Sequence, residues 1–239
     1  MDFCTARLYL TTMKLEKVTG AGPTVRNRWY DDACGTALAM ELVGERWSLL
    51  IVRELMFGGR RFSELKAGLP GISANVLTQR LDGLERAGIV ERRRLPSPAY
   101  VQVYALTQWG RESERAIQEL GRWAVRSPAH DVTLPLSPAS MMMSLRTMYA
   151  GGGEGTYGFR LARDGFVARL GAAIEIERGE PDAADLVFTA ADARGLAAFV
   201  YGGVPLAALE AQGALAVTGD RAAAERFRTL FPLPPKLAA

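Results

Sequence analysis

The stretch "SANVLTQRLDGLERAG", residues 73–88, constrains the fold more than any other part of the chain. Leu77, Leu81 and Leu84 recur at spacings of four and three, so they form one stripe of a helix, while Asn75, Gln79, Asp82 and Arg86 fall on the opposite side. Ser73 is placed to cap the first turn with its side-chain oxygen, and Gly88 ends the helix. Such a helix packs by one face and keeps a polar face free. The next segment is cationic: "IVERRR" alternates as a strand, Leu95 to Ala99 form a proline-bearing turn, and "YVQVYAL" returns as a second strand.

Three helices are expected upstream. Ala33, Ala37, Leu38, Ala39 and Leu42 give a helical period over Asp32 to Val43; "RWSLLIVRELMFG" comes next, apolar at Trp47, Leu50, Ile51 and Leu55 and stopped at Gly58. "RRFSELKAGL" is a short third helix with Ser63 near its start, and "PGIS" turns the chain into the polar-faced fourth. Downstream, Thr107 starts a long helix, "TQWGRESERAIQELGRWAV", with an apolar side at Trp109, Ile117, Leu120 and Trp123. Two short helices joined by a tight turn and succeeded by a basic hairpin make a winged helix-turn-helix.

The charge distribution agrees. Residues 1–127 carry 19 basic and 14 acidic side chains, residues 128–239 carry 10 and 12, and the surplus of the first half lies within Arg46–Leu106, at 10 basic against 5 acidic. An anion is therefore expected to bind there, as a major groove admits one helix while arginines beside it neutralise phosphates.

The order "GERW", "GGRRFSEL", "PGIS", "LTQRL", "ALTQWG", with Cys34 ahead of it, resembles the HxlR-type bacterial regulators, a branch of the wider MarR-like group, over about Arg28 to Val125. The resemblance implies contact with double-stranded operator DNA by Ser73, Asn75, Thr78 and Gln79, with Arg80 on the flank. Arg92, Arg93 and Arg94 would reach phosphates, at most two of them in one direction because a strand alternates. It implies a homodimer on a roughly palindromic operator. It also implies that Cys34 is a candidate oxidant- or electrophile-sensing thiol; cysteine is also a common small buried apolar residue, and Asp31 and Asp32 beside it are expected to raise its pKa and slow attack.

The second half reads as α+β. "TYGFRLARDGFVARLGAAIEIERG" alternates as strands with Asp164-Gly165 as a hairpin turn. "DLVFTA" is a strand, Asp192 caps the helix "DARGLAAFVYGG", and "PLAALEAQGALAVTGDRAAAERFRTLF" gives helix, strand and helix. This stretch resembles the sterol-carrier-protein lipid-binding fold over about Met141 to Phe231, which implies an apolar tunnel. Met142, Phe159, Leu196, Phe199, Val200, Leu206 and Leu209 then line either that tunnel, holding an apolar or lipid effector, or an ordinary core. The run Met141–Met143 with Leu145 and Met148 has the same two readings.

The expected architecture is α+β throughout: an N-terminal extension over 1–27, a winged helix-turn-helix over 28–127, a proline-bearing linker over 128–138 and a sterol-carrier-like domain over 139–239. The single His130, in the linker stretch, and the two cysteines match no zinc pattern, so no metal, cofactor or catalytic centre is expected. No apolar run reaches the roughly 18 residues that span a bilayer, so a cytoplasmic location without a membrane partner is expected. Two rival readings are a lipid carrier whose basic half meets anionic membranes and a thiol enzyme built on Cys34. The first needs a basic amphipathic helix rather than a basic hairpin, and the second lacks a histidine partner.

Overall fold

The computed structural model describes residues 30–95 and 100–238. The expected extension over 1–27, Cys4 and most of the wing turn, 96–99, lie outside the described residues. The chain forms two compact units, divided after Glu41. Helix α1 (Gly35–Val43), within which that division falls, begins three residues later than its apolar period suggests. The cause is local: the Asp32 carboxylate accepts the Cys34 N–H at 2.9 Å, a turn that holds Asp32 outside the helix.

The second unit opens with α2 (Ser48–Leu55), α3 (Phe62–Gly68) and α4 (Ala74–Arg86). Ile51, Val52, Leu55, Leu65, Leu69, Leu77, Leu81 and Leu84 share one buried cluster. The start of α3 is capped by Glu64, whose carboxylate accepts the Arg61 N–H at 2.8 Å, and not by Ser63. Strands β1 (Val90–Arg94) and β2 (Gln102–Leu106) pair antiparallel with Val90 opposite Leu106. Arg60 extends this small sheet, its N–H and C=O each bonded to Tyr104 at 2.8 Å.

The long helix expected from Thr107 is two helices, α5 (Gln108–Glu112) and α6 (Glu114–Ala124). The Ser113 hydroxyl donates to the Gly110 carbonyl at 2.7 Å, a local bond of the kind that competes with helical continuation. Gly110 is needed here, because a Cβ would stand 2.2 Å from the Ile89 carbonyl oxygen.

Residues 126–137 contain no helix, as their prolines require, and Pro138 then opens α7 (Pro138–Met148) with the Ser137 hydroxyl accepting the Ser140 N–H at 3.0 Å. Eight of its eleven residues are buried. It packs against α2, α6, β5 and α8. Beyond it lie β3 (Gly155–Leu161), β4 (Asp164–Leu170), β5 (Ile174–Arg178), β6 (Leu186–Ala190), α8 (Ala193–Val200), α9 (Leu206–Ala211), β7 (Ala216–Gly219) and α10 (Arg221–Arg228). The sheet order is β5-β4-β3-β6-β7, antiparallel except for the parallel pair β3–β6.

One turn departs from the sequence reading. Leu161 pairs with Asp164 and Arg160 with Gly165, so the β3–β4 turn is Ala162-Arg163, with Ala162 at φ 53°, and Asp164-Gly165 belongs to the strand. Asp164 is held there by two arginines, Arg60 and Arg178.

The sheet and its helices enclose an aromatic core. Phe188 lies 5.6 Å from Phe159, 5.1 Å from Phe227 and 6.0 Å from Phe199 between ring centres. Phe57, just past α2, belongs to this core and not to that of the helix-turn-helix, meeting Phe166 edge-on at 5.7 Å. Phe57→Ala is therefore expected to lower unfolding free energy by about 3–5 kcal/mol. Trp109→Ala, at a position 51% exposed, is expected to cost less than about 1 kcal/mol. Urea denaturation of both variants checks the contrast.

Candidate nucleic-acid interface

Helix α4 is turned by its own leucines. With Leu77, Leu81 and Leu84 buried, Asn75, Thr78 and Gln79 are exposed, and the Ser73 hydroxyl caps the helix by accepting the Val76 N–H at 3.2 Å. Thr78 donates to the Ala74 carbonyl at 3.0 Å, leaving Asn75 and Gln79, one turn apart, as the groups free to face a base edge.

Arg80, expected on the DNA flank, is occupied elsewhere. Its Nε donates to the Arg46 carbonyl at 3.0 Å and its Nη2 meets Glu45 at 2.6 Å. The guanidinium ties α4 to the segment before α2, because a long side chain at this position leans back toward that loop rather than outward.

The wing arginines alternate as a strand demands: Arg92 and Arg94 share one face and Arg93 takes the other. They differ in how free they are. Arg92 meets Asp82 at 2.6 Å and Glu85 at 3.1 Å, its guanidinium 5.6 Å from the Tyr104 ring centre. Arg93 donates from Nε to Glu91 at 2.8 Å. Arg94 is exposed and makes no ion pair among the described residues. Exposed pairs of this kind are worth about 0–1 kcal/mol, so a phosphate can compete for Arg92 and Arg93.

The basic surplus is not all surface. Arg53 is paired with the buried Glu54, and Arg60 with Asp164. Arg46, Arg61, Lys66 and Arg86 are exposed on neighbouring elements. Helical periodicity marks Arg86 as part of the free side of α4 and passes over Arg46, Arg61 and Lys66, which stand in a loop or at the ends of a short helix, although the charge count includes them.

A family model described as "HxlR-like helix-turn-helix" matches residues 42–131. Among curated relatives, the uncharacterized HTH-type transcriptional regulator YvaP of Bacillus subtilis is 38% identical over 86 residues, 36% of this chain and 80% of that protein. The HTH-type transcriptional regulator YodB of Bacillus subtilis is 41% identical over 86 residues, 36% of this chain and 77% of that protein. The chain belongs to the HxlR-like helix-turn-helix family. The solved reduced form of YodB is 38% identical, with a TM-score of 0.36 over 40% of this chain and 94% of that one.

The HxlR-like match begins after Cys34. This thiol is exposed at the start of α1, where the Thr36 N–H, then the Thr36 hydroxyl, then the Ala37 N–H hold its pKa below the ordinary value. The expectation that Asp31 and Asp32 raise it is corrected. Donors at a helix N-terminus favour the thiolate, and the Asp32 carboxylate is engaged by the Cys34 N–H.

The match also ends before the second half. Met142, Phe159, Leu196, Phe199, Val200, Leu206 and Leu209 all lie in one closely packed core. Two open hollows of about 350 Å³ each are flanked by Arg146 and Ile174, and none of those seven residues lines them. Among the described residues no three His, Cys, Asp or Glu side chains stand together as metal ligands, and no helix is long and apolar enough to cross a membrane.

In a Cys4→Ser background, Cys34 is expected to react with iodoacetamide along a pH profile whose midpoint lies below that of a free cysteine, about 8.5. Thr36→Val removes one of the hydrogen bonds that lower the pKa, so the midpoint should rise. A midpoint at or above the free value in the parent protein contradicts the helix-start geometry.

Proposed function

We propose that the protein is a DNA-binding transcriptional regulator of the HxlR type, acting as a homodimer on a two-fold symmetric operator in the cytoplasm. The observation that carries this reading is the pairing of α4, capped and turned so that Asn75 and Gln79 are exposed, with a hairpin that carries Arg92, Arg93 and Arg94. The helix fits the major groove and the hairpin the adjoining phosphates.

For the dimer, α6 supplies a surface. Ala116, Leu120 and Trp123 follow spacings of four and three along it and are exposed, Trp123 at 71%. A stripe of this kind suits self-pairing about a two-fold axis, which gives the two reading heads a palindrome needs.

In this reading residues 28–127 are the reading module, 128–138 the connection, and 139–239 a sterol-carrier-like domain. The packed phenylalanine core supports a bracing role for that domain over an open receptacle for an apolar effector. A second reading, a thiol sensor acting through Cys34, is supported by its exposure and lowered pKa.

Titrating duplex DNA from upstream of its own gene at several salt concentrations tests the interface. Arg94→Ala is expected to reduce the salt slope by about one counterion, and Arg92→Ala by less, since Asp82 and Glu85 already neutralise it. Gln79→Ala is expected to cost about 1–3 kcal/mol on the preferred sequence and little on others. Equal salt slopes for the parent protein and Arg94→Ala contradict the wing assignment.

A further inference from the structure

Arg60 is held from two directions. Its backbone exchanges two hydrogen bonds of 2.8 Å with Tyr104 of the wing strand β2. Its guanidinium reaches β4, donating from Nη1 to Asp164 Oδ1 at 2.7 Å and from Nη2 to Oδ2 at 3.1 Å, with both side chains only 13% exposed. The same carboxylate takes Arg178 Nη1 of β5 at 2.9 Å. Arg60 Nε, 3.9 Å from Glu64 Oε2, and Arg178 Nε and Nη2 are buried without a hydrogen-bond partner among the described residues, so Asp164 is the carboxylate that the two cations share.

The segment leading to Arg60 is fixed as well. Phe57 is seated against Phe166 of β4, and Arg146 from α7 covers its ring at 4.6 Å. Gly59 lies against the wing, where a Cβ would be 3.1 Å from Val103. The third strand-like element of the wing sheet is therefore anchored at Phe57 and at Arg60 to β4 and β5, while the inner ends of β1 and β2, at Val90 and Leu106, share the leucine core with α4.

We propose that Asp164, 104 residues from Arg60 in sequence, is a positioning residue for DNA binding: by holding Arg60 it sets the placement of the β1–β2 wing relative to α4. The proposal rests on the DNA-binding reading of α4 and the wing. It makes the second half of the chain a determinant of affinity through one carboxylate, without contact to DNA. Removing the carboxylate leaves two guanidinium groups facing each other in a half-buried place. Relaxation of that repulsion moves the chain segment to which β2 is bonded.

The experiment uses the full chain and duplex DNA from upstream of its own gene, monitored by fluorescence anisotropy. Asp164→Asn is expected to weaken binding about tenfold, and Asp164→Glu to restore it to within about threefold of the parent. In a double-mutant cycle, Asp164→Asn combined with Arg60→Gln should lose no more than Arg60→Gln alone, because both act through one contact. Val187→Ala, a core change in β6, should lower thermal stability and leave affinity unchanged. Amide exchange at Tyr104, measured without DNA, should quicken in Asp164→Asn and not in Val187→Ala. The proposal is overturned by unchanged affinity in Asp164→Asn, by additive losses in the cycle, or by an equal loss in Val187→Ala. If the parent protein binds no duplex, the DNA reading falls, and the Tyr104 exchange rate alone decides whether the joint exists.

Discussion

The burial of α7 is the constraint on which the rest of the second unit depends. A helix with methionine, leucine and alanine on nearly every side has no face for solvent, so it needs cover all round. The helices α2, α6 and α8 and the edge strand β5 provide that cover. The connecting contacts then run along its length. Arg122 of α6 donates to the Thr147 carbonyl, Arg146 of α7 meets Glu114 at 2.6 Å, and the buried Glu54 accepts the Ser137 hydroxyl at 2.6 Å at the start of the helix. A buried carboxylate is tolerated because Arg53 also reaches it, at 2.9 Å.

This packing gives the arginines two different tasks. Arg53, Arg60 and Arg80 are committed to internal ties, and each has carboxylate or carbonyl partners fixed by the fold. Arg94 stays out in water, and Arg92 and Arg93 are held only by exposed carboxylates. The positive field near α4 is thus weaker at rest than the residue count indicates. Local carboxylates on Asp82, Glu85 and Glu91 are counterions of the wing that any other anion has to displace.

The aromatic core of the second half imposes a similar economy. Phe159, Phe188, Phe199 and Phe227 fill the space between sheet and helices by packing on one another. Aromatic pairs at these separations hold a core in one arrangement, and such a core suits a rigid support. Phe57 inserts into it from the segment after α2, so the two halves of the chain share one core there.

The sequence by itself determined the local elements wherever one period dominates. Leu77, Leu81 and Leu84 with Ser73 defined α4 and its free face, the alternation of Arg92 to Arg94 defined the wing strand, and Asp192 was legible as a cap, accepting the Arg194 N–H at 2.8 Å. What it could not contain was the choice of partner for a charge. Arg80 and Arg94 are both exposed-looking arginines in a basic stretch, yet one is clamped to Glu45 and the other is not, because only the tertiary structure brings residue 45 beside residue 80. The same holds for Asp164, which reads as a turn residue but stands in a strand opposite Leu161 and is paired with Arg60, far away in sequence. Periodicity encodes which face is buried. The packing of distant segments decides against what.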